Sequence, residues 1–108
     1  MLNRLHGSLN AKIYYIHFSF SYRFCNIGDN ESALDNRGTL LVNAYQKYPE
    51  ALADFNNAIH INPKGHYYLN RSICYYKLGN VTKAKLDAQI AMQKGEPVPD
   101  NYRKTLGL

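Results

Sequence analysis

The sequence predicts an all-α fold in which antiparallel helix-turn-helix units stack into a short solenoid. Three observations predict it. First, the chain matches itself at a fixed spacing: Ala51 aligns with Ala84, Asp54 with Asp87 and Ala58 with Ala91, each 33 residues on, and Asn36-Arg37-Gly38 aligns with Asn70-Arg71-Ser72 at 34. A period in this range marks a repeat array, because each unit buries its apolar face only against a neighbour. Second, Ala51, Leu52, Phe55, Ala58 and Ile59 fall on one stripe of a helix. Third, turn residues stand where those helices must end, at Asn62-Pro63, Gly79-Asn80 and Gly95-Glu96-Pro97.

Taken in order, residues 1–12 show no period and read as a loose end. Residues 13–24 (IYYIHFSFSYRF) carry two patterns at once. Alternation of Phe18, Phe20, Tyr22 and Phe24 with Ser19, Ser21 and Arg23 suits a strand, whereas Tyr14, His17, Phe18, Ser21, Tyr22 and Cys25 line one helical face. A lone strand is not stable, so one irregular helix is the preferred reading. A composition unlike the rest also leaves open that 1–30 stand apart from the domain. From 31 to 108 the pattern is helical throughout. Leu34, Leu41 and Tyr45 fall near one stripe beside Gly38, with Asp29 or Asn30 available as the cap. Pro49 suits the first turn of the next helix, where its missing N–H has no partner to lose. Pro63 disfavours helix at Asn62, and Gly65 is assigned to the following turn. Tyr68, Leu69, Ser72, Tyr75, Tyr76 and Leu78 suit a packed helix, Ala84, Ala88 and Ala91 space the one after it, and Asp100 caps a last short helix.

The composition bounds the function. With 108 residues, 45% of them hydrophobic, the chain builds one modest core. Its net charge of +5 permits an acidic partner, but no basic run exceeds two residues, so the charge reads mainly as solubility. Two cysteines make no disulfide framework. Residues 13–25 are interrupted by His17, Arg23 and serines, so neither a membrane span nor a signal peptide is expected. The four histidines (His6, His17, His60, His66) share no ligand spacing with one another or with Cys25 and Cys74. Without a phosphate loop or nucleophile motif either, no catalytic residue, metal site, cofactor or enzymatic activity is expected.

From about Asn36 to Pro97 these residues resemble two tetratricopeptide repeats, each a pair of antiparallel helices A and B in about 34 residues. The family's small helix A position matches Gly38 and Ser72. Its helix B alanines match Ala51 and Ala58, then Ala84 and Ala91. The large position between them matches Phe55 but, as a departure, Ala88. The closing proline matches Pro63 and, one residue late, Pro97. The turn glycine matches Gly79, whereas in the first repeat residues 44–47 replace it with one residue extra. Small residues at these places let two helices approach to about 8–10 Å. The resemblance implies a short solenoid with repeats at about 33–65 and 66–98, followed by a terminal helix at 99–107 that either caps the array or begins a third unit.

It also implies a protein-interaction module whose A helices line a concave groove for a peptide or partner protein. The groove candidates are Asn36, Thr39 and Asn43 from the first repeat, with His66, Leu69, Asn70, Ile73 and Lys77 from the second. Co-chaperones of this family hold a chaperone's C-terminal carboxylate with a Lys and Asn clamp. Here only Asn70 matches the clamp pattern; Asp35, Thr39, Asn101 and Thr105 stand at the other positions, and Asp35 would repel a carboxylate. The expected partner is therefore protein or peptide, in the cytoplasm, with no small-molecule substrate, nucleic acid or membrane. Two alternatives stand beside it: a repeat-protein fragment without independent function, and a basic nucleic-acid module using Arg37, Arg71, Arg103 and Lys104.

Overall fold

A computed structural model describes residues 30–108, in which five helices follow one another: α1 (Glu31–Asn43), α2 (Tyr48–Ile61), α3 (Gly65–Lys77), α4 (Val81–Gln93) and α5 (Asp100–Leu106). Among the described residues there is no strand. The described residues are all-α, and α1 packs on α2, α2 on α3 and α3 on α4, as a short helical repeat requires. Residues 13–24, with both of their readings, lie outside the described residues.

Local chemistry sets the helix ends. Asn30 caps α1 by accepting from the Ala33 N–H at 3.1 Å, and Asn80 caps α4 by accepting from Lys83 N–H at 3.1 Å. Asn62 is extended (φ −154°, ψ 108°), the backbone a following proline favours, and α2 stops there. Helices α3 and α4 close in the same way. Gly79 and Gly95 take φ values of 86° and 84°, and the next N–H returns to the helix: Asn80 to Tyr75 O and Glu96 to Ala91 O, both at 2.9 Å. In the first repeat Gln46 stands in the left-handed turn instead, at φ 51°. With one residue more in the loop, the closing bond runs from Lys47 N–H to Leu41 O at 2.9 Å.

The helix B alanines behave as their spacing predicts: Ala51, Ala58, Ala84, Ala88 and Ala91 have no exposed surface. The crossing of α1 and α2 is filled by Phe55. A Cβ on Gly38 would lie 2.6 Å from the Phe55 ring, so only glycine fits. The crossing of α3 and α4 is filled differently. Ser72 donates to Ala84 O at 2.6 Å and shares a 2.8 Å hydrogen bond with the Tyr102 hydroxyl. Leu106 of α5 packs on Ala84 and Ala88, with Tyr102 beside it. The departure at Ala88 is thus matched by side chains from α5.

Several placements differ from expectation; Asp100, for one, is the first residue of α5, with Pro99 at the cap position and no side-chain cap bond. Tyr45 lies past the end of α1 and is exposed, while Val42 takes the buried place, because α1 stops at Asn43. Gly65 is the first residue of α3 rather than a turn; a Cβ there would meet Glu96 Cβ at 3.0 Å and Lys94 Cβ at 3.1 Å. On α3 Tyr67 is buried, whereas Tyr76 and, just past the helix end, Leu78 keep about two fifths of their surface exposed. Tyr67 turns inward to reach Leu34 and Ala58 of the preceding pair, a contact that the pattern within one helix does not contain.

Candidate functional site

The repeated Asn-Arg-small triplets and the repeated aspartates meet in space. Arg37 forks onto Asp54, with Nε to Oδ2 at 2.7 Å and Nη2 to Oδ1 at 2.6 Å. Arg71 forks onto Asp87 in the same way, at 2.7 and 2.8 Å. Each carboxylate is almost wholly buried, and each fork satisfies both of its oxygens, the condition for burying a charge. Arg71 also donates to Asn56 Oδ1 at 2.9 Å and lies over the Tyr68 and Tyr75 rings at 5.3 and 5.8 Å. The hydrogen bond to Asp87 raises the Arg71 pKa further. These contacts bear on the nucleic-acid reading: Arg37 and Arg71 hold helix A to helix B within each repeat, and Arg103 pairs with Asp100.

The predicted groove residues fall on two stripes. On α1, Asn36, Thr39 and Asn43 are spaced three and four residues apart, and Asn36 and Asn43 are exposed. On α3, His66, Asn70, Ile73 and Lys77 follow four, three and four apart and all reach the surface. Leu69 does not: at 8% exposure it packs with Ala91 and Val98 and belongs to the core. The two stripes are joined at one end by Asp35, which accepts from Asn70 Nδ2 at 2.7 Å and lies 3.3 Å from His66 Nε2. The other ring nitrogen of His66 stands 3.5 Å from Glu96 Oε2. Sequence reasoning weighed Asp35 only as a repellent for carboxylates, and it missed Glu96. Nothing in the linear pattern points to Glu96, since the turn at Gly95 is what brings it beside α3.

Cys74 sits at the junction of the two pairs. Its thiol donates to Tyr48 O at 3.2 Å, it has no exposed surface, and burial pushes its pKa up to about 11. Such a thiol is an inert packing group at neutral pH. Among the described residues no group of three His, Cys, Asp or Glu side chains is placed to hold a metal ion, and no helix is long and apolar enough to cross a membrane.

The chain is similar to segments of much longer proteins. Over 76 residues it is 40% identical to Sperm-associated antigen 1 of Mus musculus, a match covering 68% of this chain and 8% of that protein. Over 60 residues it is 49% identical to the Hsp70-Hsp90 organizing protein of Triticum aestivum, covering 55% and 10%. Over 65 residues it is 40% identical to Hsp70-Hsp90 organizing protein 2 of Arabidopsis thaliana, covering 59% and 11%. The chain therefore spans about a tenth of the length of these relatives. No protein-family profile matches it, and no solved structure does.

Proposed function

We propose, from the premise that the chain belongs to the tetratricopeptide-repeat family with about two repeats, that it is a protein-interaction module binding a peptide segment along the inner faces of α1 and α3. The relatives carry the same kind of repeat, which supports a protein-binding role in general. One observation carries the finer reading. The residues that hold the fold together (Arg37, Arg71, Asp54, Asp87 and the alanines) lie at the helix crossings. Asn36, Asn43 and Lys77 form no such contact and stand exposed, Asn36 next to Asp35 and the other two farther along the stripes. Amide side chains there offer donors and acceptors to an extended backbone. On this reading the chain is an adaptor in the cytoplasm and needs no catalytic group.

The names of two relatives attach them to Hsp70 and Hsp90, which makes a chaperone tail the natural competing ligand. The carboxylate of Asp35, fixed by Asn70, weighs against it. Asn70 is the residue that matched the clamp, and its amide N–H is already given to that carboxylate.

The test is a random-peptide display selection on the folded chain. Changing Asn36→Ala, Asn43→Ala and Lys77→Ala together should remove most selected binders while leaving the circular dichroism and the thermal melt unchanged, since exposed substitutions shift stability by only about 0.5 kcal/mol. Binders that survive the triple change would place recognition elsewhere.

A further inference from the structure

The end of the groove where α1 and α3 meet carries mainly hydrogen-bond acceptors. The Asp35 side chain retains 10% of its surface and that of Glu96 25%, with His66 between them at 3.3 and 3.5 Å. Asn70 gives its amide Nδ2 to Asp35 at 2.7 Å, which fixes the amide orientation and turns its Oδ1 away as a further acceptor. That Oδ1 meets no donor among the described residues. The neighbouring cations are turned elsewhere: Lys64 lies over the Tyr67 ring and Lys94 over the Tyr68 ring, each at 5.8 Å. His66, 53% exposed at its side chain, fills this place through Asp35, Glu96, Asn70 Nδ2 at 3.3 Å and an edge contact with the Tyr67 ring, and a bound cation would have to displace it.

We propose that this end of the groove receives a basic side chain of the bound segment, a lysine ammonium or arginine guanidinium, placed between Asp35 and Glu96 with Asn70 Oδ1 as a further acceptor. The inference rests on the groove reading above and adds the chemistry of the partner. Two carboxylates attract a cation that supplies several donors. They repel an acidic side chain or a terminal carboxylate. Electrostatic complementarity of this kind selects partners more than it raises affinity.

The same display selection tests it through the composition of the binders. Peptides whose binding is lost in the triple variant should be enriched in lysine or arginine at one position. Glu96→Gln should weaken them about fivefold to tenfold, a shift of about 1 kcal/mol, and Asp35→Asn by a similar factor. Glu96 is the safer probe, because Asp35 also joins α1 to α3. Groove-dependent peptides with no basic preference, or with an acidic one, would overturn this inference and leave the groove standing. So would basic peptides indifferent to Glu96→Gln. If no peptide depends on the groove residues, the binding reading fails and this inference with it.

Discussion

The two repeats share one frame and fill it by opposite means. In both, an arginine of helix A forks onto a buried aspartate of helix B, Arg37 to Asp54 and Arg71 to Asp87. Between those clasps the first repeat pairs the smallest residue with a large one, Gly38 under Phe55. The second pairs Ser72 with Ala88 and fills the gap from outside with Tyr102 and Leu106 of α5. The first crossing is filled by its own Phe55, with Cys74 of α3 joining the same cluster, whereas the second is filled by the helix that follows. Their outer faces differ as well. Cys74 is wholly buried against the first repeat, whereas Leu40, its counterpart 34 residues earlier, is 53% exposed. A repeat's core is defined jointly with its neighbours, so equivalent positions do not have equivalent surroundings.

The largest expected effect comes from the feature the repeats share. Arg37→Ala should leave Asp54 buried and unpaired, destabilising the fold by about 3 kcal/mol. Arg71→Ala should do the same to Asp87, and there the Tyr68 and Tyr75 rings and Asn56 also lose a partner. Urea unfolding of the two variants checks it; a loss below about 1 kcal/mol in either would show that the buried carboxylate does not depend on its arginine.

An intermediate effect separates the two fillings. Gly38→Ala should destabilise by about 1–3 kcal/mol, since the new methyl must displace a ring that is already enclosed. Ser72→Ala fits the space and should remove only its hydrogen bonds, about 1 kcal/mol. Deleting residues 100–108 then distinguishes the repeats. It should abolish the penalty of Ser72→Ala that passes through Tyr102 while leaving that of Gly38→Ala unchanged in thermal melts. A Gly38→Ala penalty that also changed would show that α5 supports both crossings.

The smallest effect lies in the turns. Gln46 holds a left-handed backbone that Gly79 adopts without strain. Gln46→Gly should therefore stabilise by about 1 kcal/mol, whereas Gly79→Ala should destabilise by about the same amount. A calorimetric shift of the wrong sign for Gln46→Gly would mean that its side-chain bond to Asn43 O, 3.3 Å long, outweighs the strain.

Much of the repeat was legible before any coordinates, and for a definite reason. Contacts inside a helix pair recur with the period, so the alanines, the small position at Gly38 and Ser72, and the aspartates announced themselves by aligning. That Arg37 and Asp54 were partners was latent in the same alignment, because both recur one period later. The candidate site was less legible. Asn36, Asn43 and Lys77 were found as a stripe, but Leu69 was assigned to the surface and is buried by Val98, which arrives from beyond the repeat. Tyr45 was assigned to the stripe of α1 because apolar spacing does not show where a helix ends without a glycine.

What the sequence determined by itself is the repeated frame: helix pairs, small crossings, a cap at Asp29 or Asn30, and turns at Gly79-Asn80 and Gly95. Each depends on residues of known spacing and on local backbone preference. Only the tertiary structure decided what crosses between units. It brought Tyr102 to Ser72, Tyr67 to Ala58, Cys74 to Tyr48, and Glu96 to His66 and so to Asp35. Such contacts depend on how one pair packs on the next, and packing has no period to be read.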